Sequence, residues 1–185
     1  MSAHSDSAAA SPASRDLPST SSSPSNPIQI PLTWPPDGKV DLDWIHHMMS
    51  AFDWSSKNLP PSDFPSVLPV QAFDSLVLTA SKILHKEPNC LTIEPDEDSS
   101  AAAEVVVVGD VHGQYHDLLF LLQNAGFPSE NRFFVFNGDY VDRGAWGLET
   151  FLLLLAWKVY LYLYIYIYKS ENMQNFDIWV AVAEC

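Results

Sequence analysis

Apolar residues follow three different rhythms along this chain. Over residues 41–54, Leu42, Ile45, Met48, Met49 and Phe52 recur at helical spacing, with Asp41 or Asp43 placed to cap the start. Phe73, Leu76, Val77, Ala80, Ile83 and Leu84 form a second stripe, which predicts a helix over residues 69–86. Pro69 opens it, where a helix tolerates proline. Residues 58–69 carry four prolines and read as a loop. One apolar stripe is what a docked helix needs, so Trp44, Met48 and Met49 read as core rather than as a partner-binding face.

The second rhythm is an unbroken apolar run, used twice. Residues 105–108 and 133–136 each lead to a Gly-Asp turn and then to a helical segment. Runs without alternation predict parallel strands covered on both faces. Leucine-rich residues 118–122 predict a crossover helix apolar on more than one side, ended by Gly126-Phe127-Pro128, and residues 147–158 predict another. In open sheets of this kind, sites form outside the carboxyl ends of the strands, so Asp110 and Asp139 are expected to share one crevice.

The third rhythm is the alternation of tyrosine with aliphatic residues over 159–168. It is not the polar-out pattern of a half-buried strand, and a β-prone run of low charge is an aggregation hazard. A membrane span over residues 151–168 has nearly the required length, but Lys158 inside it argues against one.

The residues after the two apolar runs form a ligand set. Asp110 and His112 share a tight turn between Gly109 and Gly113 and can aim an oxygen and a nitrogen at one point, within reach of Asp139. A mixed carboxylate and imidazole set suits manganese, iron or zinc better than calcium or magnesium. Two such ions sharing a bridging carboxylate can clamp a phosphoryl group and lower the pKa of a water. Arg143, directly after Asp142, offers a planar fork for phosphoryl oxygens. Taken singly, Gly-Asp is most often a turn, His112 a surface histidine and Arg143 a solvated cation. Two such motifs, each in strand, turn and helix context, outweigh these readings. His116, four residues after His112 within the helical segment, reads as a helix-surface residue.

Gly109-Asp110-Val111-His112-Gly113 and Gly138-Asp139-Tyr140-Val141-Asp142-Arg143-Gly144 resemble the first two of three motifs of the PPP-type serine/threonine phosphoprotein phosphatases. Ala145-Trp146-Gly147-Leu148-Glu149 and Trp34-Pro35-Pro36-Asp37-Gly38 are most like a plant group within that family. The resemblance, over about residues 30–158, implies an α/β fold: an incomplete α+β metallophosphatase-like sandwich, with a calcineurin-like metallophosphoesterase core preceded by two helices packed on it. It implies metal-dependent hydrolysis of phosphoserine and phosphothreonine in proteins, with two divalent ions. One ion would be held by Asp110, His112 and the bridging Asp139. Arg143 would bind substrate phosphate, and Asp142 would orient a histidine that protonates the leaving alcohol.

The third motif, Gly-Asn-His-Glu, does not occur in the sequence. The resemblance places the second ion's asparagine and histidines, the acid histidine and a second arginine in that missing carboxyl half. At most one well-held ion and negligible activity are therefore expected of this truncated polypeptide alone, because groups that act as a unit are not additive. Residues 159–185 resemble nothing in the family. Val, Tyr, Leu and Ile can be written GTA, TAT, TTA and ATA, so residues 159–168 are what reading from an AAG lysine codon into a thymine–adenine-rich intron would produce. Genomic sequence that lacks a continuing phosphatase exon downstream would dispose of that origin.

Composition narrows the alternatives. A formal charge of −14 and a pI near 4.5 argue against a nucleic-acid partner and suit a cation site. Residues 1–30, rich in Ser, Ala and Pro, are expected to be disordered, with a helical region at 31–93, an acidic linker at 94–104 and the catalytic half-domain at 105–158. Cys90 and Cys185 form no disulfide or metal pattern, and no secretion signal opens the chain, which leaves the nucleus or cytoplasm. The plant group further implies nuclear residence and calmodulin binding for full-length members, but no basic amphipathic stretch is visible here, so calmodulin is not carried over. Two other classes remain: a dinucleoside polyphosphate hydrolase, which would share both motifs, and a non-catalytic fragment competing for the partners of a full enzyme.

Overall fold

The structure, a computed structural model, describes residues 31–88, 103–161 and 165–167. The expected disordered tail, nearly all of the acidic linker, both cysteines and most of residues 159–185 lie outside these residues.

Helix α1 spans Leu42–Asn58, and Asp41 caps it by accepting the Trp44 N–H at 2.8 Å. It runs beyond Trp54. Its buried face carries Trp44, Ile45, Met48, Met49 and Phe52, whereas Leu42, counted in the stripe, is exposed in the first turn. The proline-rich connection is not a plain loop: Pro61–Ser66 form a 3-10 helix, whose φ the proline ring already favours. Phe64 uses it to bring its ring within 5.2 Å of that of Phe52. Helix α2 spans Val70–Leu84, with Pro69 one position earlier than expected, at the cap. Ala72, Leu76, Ala80 and Leu84, four residues apart, make its buried ridge.

Three parallel strands, β1 (Glu104–Val108), β2 (Arg132–Phe136) and β3 (Ile165–Ile167), form a sheet in that order. The central strand behaves as its apolar run predicts, with Phe133 to Phe136 all buried. The first does not. Val105 and Val107 are 47% and 56% exposed, and only Val106 and Val108 pack against the core. Strand β1 lies at the sheet edge, and its outer face is uncovered among the described residues. Glu104, expected to end the linker, instead opens this strand and receives the Arg132 Nε–H at 2.8 Å across the register. The alternating tail, not expected to provide a strand, supplies β3, with Phe134, Val135 and Phe136 opposite Ile165, Tyr166 and Ile167.

Helix α3 spans Tyr115–Ala125 and buries Tyr115, Leu118, Leu119 and Leu122, while Phe120 is 67% exposed instead of lying inside. Helix α4 spans Gly147–Tyr160, two residues beyond its predicted end, and packs against α1, α2, α3 and β3. Residues 152–158 are buried on every side, including Lys158, which forms an ion pair with Glu87. No described helix is long and apolar enough to cross a membrane. The two amino-terminal helices thus dock on the sheet domain through α4.

Candidate metal centre

The strand ends are joined before the loops diverge, since Asn137 N–H donates to the Val108 carbonyl at 2.9 Å. The loop after β1, residues 109–114, and the loop after β2, residues 137–146, are then laced backbone to backbone. The Asp139 carbonyl accepts from Val111 N–H at 3.1 Å and from His112 N–H at 2.8 Å. Gly113 N–H donates to Tyr140 O at 2.8 Å, Gly144 N–H to His112 O at 2.8 Å, and Trp146 N–H to Gly113 O at 3.2 Å. Tyr140 pins its loop from below, donating its buried hydroxyl to Phe136 O at 3.0 Å.

This lacing holds side chains that the backbone alone would disfavour. His112, Asp139, Asp142 and Arg143 adopt φ of 48°, 49°, 64° and 54°, and they are the non-glycine residues in the left-handed region among those described. Each such residue costs about 1–3 kcal/mol and persists where its surroundings over-determine it, a pattern that clusters at functional sites. The glycines serve close approach. A Cβ on Gly144 would run into the His112 carbonyl oxygen, and Gly113, at φ 65°, leaves room for Gly147 N at 3.0 Å from where its Cβ would stand.

Asp110, His112 and Asp139 are brought together, each with a ligand atom within 4.8 Å of the others. The His112 ring lies between the carboxylates, with Nδ1 3.0 Å from Asp139 Oδ1 and Nε2 3.5 Å from Asp110 Oδ2. Its side chain is only 17% exposed, against 65% and 44% for Asp110 and Asp139. A half-shielded imidazole between solvent-facing carboxylates gives an ion an entry path and a mixed oxygen and nitrogen donor set. A divalent metal ion fits such a set. Asp142 and Arg143 stand exposed on the same loop as Asp139.

His116 keeps part of its side chain at the surface, as its helical position implies, but it also stands between elements, 3.1 Å from Ser56 Oγ, 3.5 Å from Asp53 Oδ1, and perpendicular to the Trp146 ring with centroids 4.4 Å apart. Glu149 lies close enough for the His116 charge to act on it, and burial raises its carboxyl above the usual range, partly opposed by its own backbone hydrogen bond and by His116. The period of α3 could not reveal this, because the partners come from α1 and from the second loop.

Residues 103–177 match the calcineurin-like phosphoesterase family. The match runs past Lys158. The chain is 66% identical over 131 residues to serine/threonine-protein phosphatase 7 of Arabidopsis thaliana, which covers 71% of this chain and 31% of that protein. It is 64% identical over 133 residues to the long form homolog of phosphatase 7 from the same plant, covering 72% of this chain and 10% of that one. Among solved structures it resembles a protein serine/threonine phosphatase of Saccharomyces cerevisiae with similarity to human phosphatase PP5. That likeness has a TM-score of 0.54 at 25% identity, over 74% of this chain and 41% of the other. The chain spans about a third of the length of the first of these relatives and a tenth of the second. With both motifs in place on parallel strand ends, residues 103–177 carry a calcineurin-like phosphoesterase domain similar to that of serine/threonine-protein phosphatases.

Proposed function

We propose that this chain contributes the first metal position and part of the phosphate site of a metal-dependent phosphatase acting on phosphoserine and phosphothreonine in proteins. The observation that carries the reading is the convergence of Asp110, His112 and Asp139 within 4.8 Å on two loops locked to each other. A divalent ion there, manganese, iron or zinc, would supply Lewis-acid polarisation of a phosphoryl oxygen and a more acidic water. The chain's own part is to fix the ligands: His112 is aimed by its strained backbone, and Asp139 is held by the two N–H groups on its carbonyl. Arg143, exposed beside the site, would bind phosphoryl oxygens through two N–H groups. Asp142 would orient an acid histidine supplied from elsewhere.

The relatives are named as protein phosphatases, which favours a phosphoprotein substrate over a dinucleoside polyphosphate. Among the described residues, Asp139 would be the ligand shared with a second ion, so negligible turnover is expected of these residues by themselves. The test is manganese titration of the chain, followed by binding of inorganic phosphate to the manganese-loaded form. One ion per chain, with phosphate affinity lost in Arg143→Ala, supports the reading. Absence of manganese binding overturns it, and phosphopeptide turnover comparable to an intact relative overturns the account of the second ion.

A further inference from the structure

Trp146 is a joint between the second loop and α4. Its N–H holds the Gly113 carbonyl of the ligand loop at 3.2 Å, while its own carbonyl accepts from Thr150 N–H at 3.0 Å and Thr150 Oγ1–H at 2.7 Å. The backbone of Trp146 is therefore fixed at one end to the first turn of α4 and at the other to the residue after His112. Its ring meets the His116 ring perpendicularly at 4.4 Å. His116 in turn is anchored on α1, with Nε2 3.1 Å from Ser56 Oγ and 3.5 Å from Asp53 Oδ1. Asp53 is itself held by Lys57, one turn on, at 2.6 Å and 2.8 Å. Ser56 donates its hydroxyl to Asp53 O at 2.8 Å, so the His116 Nε2 facing it meets an oriented oxygen.

We propose that His116 is a positioning residue for the metal centre: anchored on α1 by Ser56 and Asp53, it props Trp146 and thereby the ligand loop at Gly113. The amino-terminal helical region then serves as the outer support of the metal ligands. This rests on the metal-binding reading above. The physical basis is that the four left-handed residues near the centre keep their conformation only while the two loops stay in register, and Trp146 is the last backbone bond of that lacing. Outer supports of metal ligands generally matter for affinity, by about 10–100-fold when removed.

The test uses the full chain, with manganese affinity from calorimetric titration and the melting temperature of the metal-free protein measured side by side. His116→Ala is expected to weaken manganese binding by about tenfold. His116→Phe, which keeps a ring against Trp146, is expected to recover part of that loss. Ser56→Ala, a smaller change at the anchor, serves if His116→Ala does not fold, and is expected to weaken binding by about threefold while the metal-free melting temperature stays within about 2 °C. A purely structural role predicts the reverse: lower melting temperatures with manganese affinity unchanged in the folded variants, which overturns the proposal. If the unmodified chain binds no manganese, the metal centre itself falls and this inference with it. Binding by the unmodified chain with equal affinity in all three variants sinks the inference alone.

Discussion

His112 and Asp139 are joined twice, once through the backbone, where His112 N–H donates to Asp139 O at 2.8 Å, and once through the side chains, where Nδ1 lies 3.0 Å from Oδ1. The first link belongs to the fold and the second to the chemistry, so the two can be separated by substitution. Asp139→Asn keeps the backbone carbonyl and the side-chain shape but removes the charge. We expect its melting temperature to stay near that of the parent, while manganese affinity falls by at least the roughly tenfold that losing even an outer support costs. Calorimetric titration decides this, and unchanged affinity would remove Asp139 from the site.

Gly144 is required by space rather than by φ. A Cβ there would run into the carbonyl oxygen of His112, which is backbone and cannot swing aside. Gly144→Ala should cost about 1–3 kcal/mol in denaturant unfolding and weaken manganese binding as well, because His112 must move. Gly38→Ala, at φ 72° with open space around it, is the contrasting control, expected to lose about 1 kcal/mol with no effect on metal affinity.

The pH dependence of stability should carry two opposed alkaline contributions. Tyr115 is fully buried and donates its hydroxyl to Met49 O at 2.9 Å, and burial, aided by the charges of Asp53 and Glu149, pushes its pKa well above the ordinary value. Since the folded state keeps that proton when the unfolded chain begins to lose it near pH 10, Tyr115 makes stability fall as pH rises above about 10. Burial lowers the Lys158 pKa, partly opposed by its hydrogen bond and charge interaction with Glu87. The unfolded chain then holds more protons in the window below the ordinary lysine value, so Lys158 makes stability rise as pH climbs towards about 10.5. Tyr115→Phe should lose about 1 kcal/mol at neutral pH and no longer decline through this source above pH 10. Lys158→Met should abolish the rise at a net change within about 1 kcal/mol, whereas Glu87→Gln, which strands the buried cation, should cost of order 3 kcal/mol. Urea unfolding from pH 7 to 11 reads all three.

The unequal burial of the two paired strands gives a stability contrast. Phe134 in β2 is fully buried and stacked on Phe136 at 6.0 Å, so Phe134→Ala should cost about 3–5 kcal/mol. Val107 in β1 is 56% exposed, and Val107→Thr should change stability by less than about 0.5 kcal/mol. Equal losses in thermal unfolding would mean that the outer face of β1 is covered in solution.

The sequence by itself determined what depends on neighbours a few residues away. The stripe from Ile45 to Phe52 fixed the face of α1, and the Gly-Asp turns after residues 108 and 136 made the meeting of Asp110, His112 and Asp139 legible, because each turn follows an apolar run that predicts a neighbouring parallel strand. Tertiary structure decided what depends on position in the assembly. Val105 to Val108 and Phe133 to Phe136 are equally apolar, yet one strand lies at the edge and the other in the centre, and strand order is not written in either run. It also set the partly exposed His116 between α1 and Trp146, and recruited residues 165–167 as a third strand. Side-chain periodicity encodes which way a residue faces within its own element, whereas what it meets there depends on segments dozens of residues distant, whose arrival no local pattern records.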